Sequence, residues 1–161
     1  MTNVWALIGA PFSGKTSWTT EFLYEHSNTV IICPDEIRKE LTGDINNQAC
    51  NQKVFIKAHN RLEEAVECGV SNVIFDATNI APRSRNAIFE RCMFGVDVHY
   101  VIFHVTLEEA LKRKANDSYR IAQGQRSDVP DMIIEKFVKE FDNNIEYIST
   151  DTRAKTITFI K

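Results

Sequence analysis

The segment Gly9-Ala10-Pro11-Phe12-Ser13-Gly14-Lys15-Thr16, with Ser17 behind it, stands directly after the apolar run Val4-Trp5-Ala6-Leu7-Ile8. A G-x-x-x-x-G-K-T sequence between a buried strand and a helix turns backbone N–H groups inward. With the positive end of the helix dipole it makes a socket for a polyphosphate. Lys15 reaches the β- and γ-phosphates, and Thr16 offers its hydroxyl to a Mg²⁺ ion that bridges the same oxygens. The reading is nucleoside triphosphate binding, with Gly9, Pro11, Ser13, Gly14, Lys15, Thr16 and Ser17 as the candidate nucleotide contacts.

Composition limits what surrounds that loop. A chain of 161 residues, 43% hydrophobic and 25% charged, is expected to form one globular domain over 1–161. A formal net charge of -3 argues against coating nucleic acid with the whole surface, so any such contact must be local. Cys33, Cys50, Cys68 and Cys92 form no C-x-x-C pair and read as free thiols rather than disulfides or zinc ligands. The four histidines have no ligand spacing. No apolar stretch approaches membrane-spanning length and no basic leader opens the chain, so a cytoplasmic protein is expected.

Hydrophobic periodicity predicts strands at about 4–9, 29–33, 72–76, 96–105 and 156–160. Helices are predicted from Lys15 to about His26, from Pro34 through Leu41, over about 47–68, and from Pro82 to about Phe94. Another opens at the capping box Thr106-Leu107-Glu108-Glu109, and the last runs from Pro130 to about Ile148 on Ile133, Phe137, Phe141, Ile145 and Ile148. Between them, Asn116 to Val129 reads as a mobile loop. Strands alternating with helices imply a parallel sheet of about five strands with helices on both faces. Ligands there bind beyond the carboxyl ends of the strands, so the segments after positions 33, 76 and 105 should converge on the phosphates.

Those segments carry the chemistry. Asp35 can accept the proton of an attacking hydroxyl, and Arg38, one helical turn on, can clamp an anionic group of the acceptor. An Asp at that position is also an ordinary helix cap. Asp76 ends an apolar strand, as an acid holding Mg²⁺ through water does, with Thr78 and Asn79 just beyond. Arg83 and Arg85 oppose the dipole of the helix they open, which points to an anionic partner. The lid, about 114–129, belongs to a stretch bearing Lys112, Arg113, Lys114, Arg120 and Arg126 against Asp117. A guanidinium on a closing loop can neutralise the charge of a transferring phosphoryl group.

Taken together, G-A-P-F-S-G-K-T, P-D-E-I-R, V-I-F-D-A-T-N with Pro82 and Arg83, and the arginine-bearing lid before V-P-D-M-I resemble the kinase domain of the bacteriophage polynucleotide 5′-hydroxyl kinase family. The resemblance spans nearly the whole chain and implies an α/β P-loop kinase fold. It also implies Mg²⁺-assisted transfer of the ATP γ-phosphate to the 5′-hydroxyl of DNA or RNA. In that scheme Lys15 and Thr16 hold ATP and Mg²⁺, Asp35 is the general base and Arg38 grips the acceptor's neighbouring phosphate. Asp76, Thr78, Asn79 and Arg83 face metal or acceptor, and a lid arginine stabilises the transition state. Spacing within the lid puts Arg120 first, with Arg113 and Arg126 in reserve. The family's D-x-D-G-T phosphatase signature does not occur, so 3′-phosphatase activity is not expected. A small-molecule or nucleoside kinase on the same scaffold is the alternative acceptor class. A non-catalytic ATP-binding module ranks third, since neither N-K-x-D nor L-S-G-G-Q is present.

Overall fold

The computed structural model describes residues 1–92 and 94–161. Five strands, β1 (Thr2–Ile8), β2 (Thr29–Ile32), β3 (Asn72–Asp76), β4 (Val96–Phe103) and β5 (Thr156–Ile160), pair in the order β2-β3-β1-β4-β5. Every pairing is parallel. The helices are α1 (Lys15–Glu25), α2 (Pro34–Thr42), α3 (Asn51–Glu67), α4 (Pro82–Arg91), α5 (Leu107–Asn116), α6 (Ser118–Ala122) and α7 (Asp131–Ser149).

Strand register explains why the site lies at one edge. Leu7 pairs with Asp76, Ile8 with Ile102 and Ile32 with Phe75, so the carboxyl ends of four strands finish side by side. β1 is central, and the sheet order reverses across it, which opens a crevice at its end. The period of two sends Val4, Ala6 and Ile8 of β1 to one face and Trp5 and Leu7 to the other. On the first face Val54, Ala58 and Leu62 of α3, Ile88 of α4 and Phe141 and Ile148 of α7 close a core. On the second, Trp5 and Leu7 pack with Ile74, Val101 and Phe103 beneath Trp18 and Phe22 of α1. Helices therefore cover both faces, as expected.

Several boundaries differ from the periodicity reading. The stretch before α3 is a 3-10 turn, Gln48–Cys50, because Asn47 caps it by accepting the Ala49 N–H at 3.0 Å. α4 stops at Arg91, short of Phe94, and Met93 within that expectation lies outside the described residues. The expected mobile loop contains α6, a single turn and a half of helix. In α7 the buried residue is Ile134 at 0% exposure, whereas Ile133 is 40% exposed. Ile133 and Ile134 both stand at helical spacing from Phe137, and Ile134 is the one that packs with Ala110 and Val105. Among the described residues no helix is long and apolar enough to cross a membrane. The cysteines are free thiols.

Candidate active site

The loop after β1 needs two glycines for different reasons. A Cβ on Gly9 would stand 2.5 Å from Ser13 Oγ and 2.9 Å from the Phe103 carbonyl, so β4 passes too close for any side chain. Gly14 sits at φ +108, in the left-handed region. Phe12 is also left-handed, at φ 63, a conformation that costs a bulky residue about 1–3 kcal/mol. Left-handed residues at 12 and 14 with an ordinary one between them turn successive N–H groups the same way, the concave pattern that binds anions. α1 then begins with no acid in its first turn, unlike α2 and α5, which each have two. Its positive end stays free for a ligand's charge.

Lys15 lies across this cradle, its Nζ donating to the carbonyls of Gly9 at 2.9 Å and Ala10 at 2.8 Å. Burial lowers its ammonium to about 8, against the upward pull of Asp76 and Asp35 and with Arg126 adding to the fall. Burial also pushes the Asp76 carboxyl above its ordinary range, opposed by Lys15. Ser13 Oγ is buried with no hydrogen-bond partner among the described residues. Thr16 and Ser17 are exposed at the start of α1. A Thr hydroxyl and the Asp76 carboxylate are hard oxygen donors, which fits Mg²⁺ shared with phosphate oxygens.

After β2, α2 opens at Pro34 and carries Asp35 in its first turn, close enough to the cradle for its charge to act on Lys15. Arg38 Nη1 donates to Asp35 Oδ1 at 2.5 Å. Its Nε and Nη2 both donate to Asn51 Oδ1, at 3.1 and 3.0 Å, and Asn51 in turn donates to Gln48 Oε1. The Arg38 side chain is 6% exposed and that of Asp35 is 47% exposed, so the carboxylate meets solvent while the guanidinium anchors it from beneath. Cys33 lies next to this pair, and burial pushes its thiol up to about 12, which keeps it neutral. Nothing in the sequence singles out Asn51: it stands thirteen residues from its partner, outside any motif.

Thr78 and Asn79 knit β3 to the root of the cradle. The Gly9 N–H donates to the Thr78 carbonyl at 3.0 Å. Asn79, left-handed at φ 48 and 2% exposed, donates its amide to Leu7 O at 2.8 Å and Phe75 O at 3.3 Å. Arg83 is exposed in the first turn of α4. Arg85 is buried and donates to the carbonyls of Asn79 and Ile80, so its charge serves the turn rather than a ligand.

The lid's arginines separate clearly. Arg126 lies with its guanidinium 4.2 Å over the Phe12 ring, and its Nη1 donates to Asp117 Oδ2 at 2.6 Å. Burial pulls its pKa down, with Asp117 opposing, and Asp76 is close enough to oppose as well. Arg113 Nη1 donates to the Phe12 carbonyl at 3.2 Å, while its Nε holds Glu109 at 3.1 Å. Arg120 has a 46% exposed side chain with only a loose ion pair to Asp117, at 3.9 Å. Two contacts missed by sequence reasoning hold the lid against α2 and the turn after it: Lys39 Nζ donates to Gly124 O at 3.3 Å, and the Asp128 N–H donates to Asn46 Oδ1 at 2.7 Å.

This arrangement matches known proteins. A chain of the structure described as the Pnkp1/Rnl/Hen1 RNA repair complex is 25% identical, with TM-score 0.75 over 91% of this chain and 46% of that one. The present chain thus spans about half the length of that relative. A fungal RNA kinase gives TM-score 0.61 at 19% identity, over 99% of this chain and 38% of that one. A deoxyadenosine kinase from M. mycoides gives 0.57 at 14% identity, over 98% and 90%. No curated protein matches the sequence. The fold is that of the P-loop kinases. Residues 4–143 match the family model described as AAA domain, and with most of β1, the phosphate cradle and the lid inside that match, the chain belongs to this family.

Proposed function

We propose that this chain is an ATP-dependent polynucleotide kinase that transfers the γ-phosphate to a 5′-hydroxyl of DNA or RNA. The observation that carries the reading is the position of Asp35. Its carboxylate is half-exposed, pinned by Arg38, and near enough to Lys15 and Asp76 for its charge to act on both. A binding module needs the cradle alone. A carboxylate facing the cradle is what phosphoryl transfer to an alcohol adds.

The cradle N–H groups and Lys15 hold the β- and γ-phosphates, and Arg126 approaches them from the lid. Thr16 and Asp76 are the residues to hold Mg²⁺, which when bound would draw off charge from the phosphate oxygens. Asp35 orients the acceptor hydroxyl and takes its proton as the new O–P bond forms and the bond to the β-phosphate oxygen breaks. A loose transition state asks for alignment of the attacking hydroxyl, which the anchored carboxylate supplies. Arg38 keeps N–H groups on Nη1 and Nη2 beyond those given to Asp35 and Asn51, and these can meet a phosphate of the acceptor.

The kinship with an RNA repair complex at 25% identity supports a polynucleotide acceptor. A nucleoside or small-molecule acceptor is the second reading, supported by the depth of Arg38 and by the fold shared with a deoxyadenosine kinase. An acceptor screen separates them. With γ-labelled ATP, 5′-hydroxyl DNA and RNA oligonucleotides should take label while nucleosides and polyols do not. Label on the small molecules alone overturns the polynucleotide assignment.

A further inference from the structure

Phe12 is a residue that phosphate binding does not call for. The motif leaves its position open, yet the chain keeps an aromatic there in left-handed backbone. Its side chain is 4% exposed in a cluster with Ala10, Val105, Ala110 and Ile134, and Ile121 and Val129 of the lid segment pack against that cluster. The ring face receives Arg126 at 4.2 Å, and the carbonyl receives Arg113 at 3.2 Å. Two lid arginines are thus referenced to one residue of the cradle.

We propose that the Phe12 ring is the platform that sets the Arg126 guanidinium over the bound triphosphate. It is a positioning residue acting through Arg126, and the proposal rests on the kinase reading of the same site. The Asp117 ion pair fixes one end of the guanidinium but leaves its plane free to rotate. Stacking on a flat ring fixes the plane, so the remaining N–H groups keep one direction toward the phosphates. The strained backbone persists because the ring is locked into the cluster beneath the lid.

The test is a graded series of fluorinated phenylalanines at position 12, from monofluoro to pentafluoro. Ring size hardly changes while the negative potential of the ring face falls step by step. The readouts are kcat, KM for ATP, melting temperature, and the ratio of affinities for a non-hydrolysable ATP analogue and ADP. Each is measured in the native and in the Arg126→Ala background. Across the native series kcat should fall stepwise by about tenfold and the analogue-to-ADP ratio should shrink, with KM within about threefold. In the Arg126→Ala background the series should be flat. Phe12→Leu, which keeps apolar bulk without a ring face, should match the pentafluoro variant in kcat. A flat native series, or the same decline without Arg126, overturns the platform. Should the native protein phosphorylate no acceptor, the kinase reading fails on its own, and the analogue-to-ADP ratio still decides Phe12: shrinkage supports it and constancy overturns it.

Discussion

The cradle and the lid meet at Phe12, but they are held in opposite ways. The contacts that set the cradle's backbone are mostly short in sequence or made to strand ends: Lys15 to Gly9 and Ala10, left-handed turns at 12 and 14, Gly9 against Phe103. The lid is tied by polar bonds to distant or flanking residues. Asn46 takes the Asp128 N–H and Lys39 reaches Gly124, while Lys114 to Val129 O at 2.7 Å and Arg126 to Asp117 brace the lid from within. A shape encoded by its own few residues is rigid and recognisable. One encoded by surface hydrogen bonds opens at low cost, since each contributes only about 0.5–1.5 kcal/mol. The donor site therefore joins a fixed floor to a cover that can lift for exchange of nucleotide.

The strongest way to break this contrast is to remove the arginine that links the two. Arg126→Ala should lower kcat about 10³-fold or more by analogy with arginine fingers, while Arg120→Ala, at a side chain 46% exposed, should change it less than about threefold. Steady-state kinetics with a labelled acceptor reads both. Equal losses would mean that the lid inverts its faces on binding ATP.

Next in size is a pH effect on the floor. Lys15 must be an ammonium to hold phosphate, and burial has lowered it to about 8 in the free protein. Affinity for ATP should be level up to that pH. Above it, affinity should fall by at most about tenfold per pH unit, because binding then requires proton uptake. For folding the sign is opposite. The depressed pKa costs stability below about 8 and the cost is relieved as pH rises toward the ordinary lysine value. Calorimetric titration from pH 7 to 10 checks the slope.

Smaller effects probe the tethers. Asn51→Ala leaves Arg38 Nε and Nη2 buried without their acceptor and should cost about 1–3 kcal/mol of stability, with acceptor KM raised more than ATP KM. Asn46→Ala frees one side of the lid and should raise KM for ATP about 2- to 10-fold, with faster amide exchange at 124–129 and unchanged exchange in β1.

How much of this was legible follows the same division. The glycine and lysine spacing, the apolar run before it and the alternation of elements carried the sheet and the cradle, because local sterics and period-two burial determine both. Asp35 and Arg38 were legible as residues after a strand end, and Asp76 as the acid that closes one. The 118–122 helix was not, since one short polar turn has no periodicity to read. Ile133 and Ile134 are adjacent apolar residues, and only packing on α5 and the sheet selects the second. Among the lid arginines, spacing points to Arg120. What turns Arg126 inward is Phe12, more than a hundred residues away, and no local pattern carries that. Asn51, Asn46 and Lys39 were invisible for the same reason.

The most direct measurement compares native protein with Asp35→Asn, each given γ-labelled ATP and a 5′-hydroxyl oligonucleotide, with ATP affinity measured alongside. The account predicts label transfer by the native protein, a loss of about 10² to 10⁴ in kcat for the variant, and ATP binding within about twofold. Undiminished transfer by Asp35→Asn would contradict it.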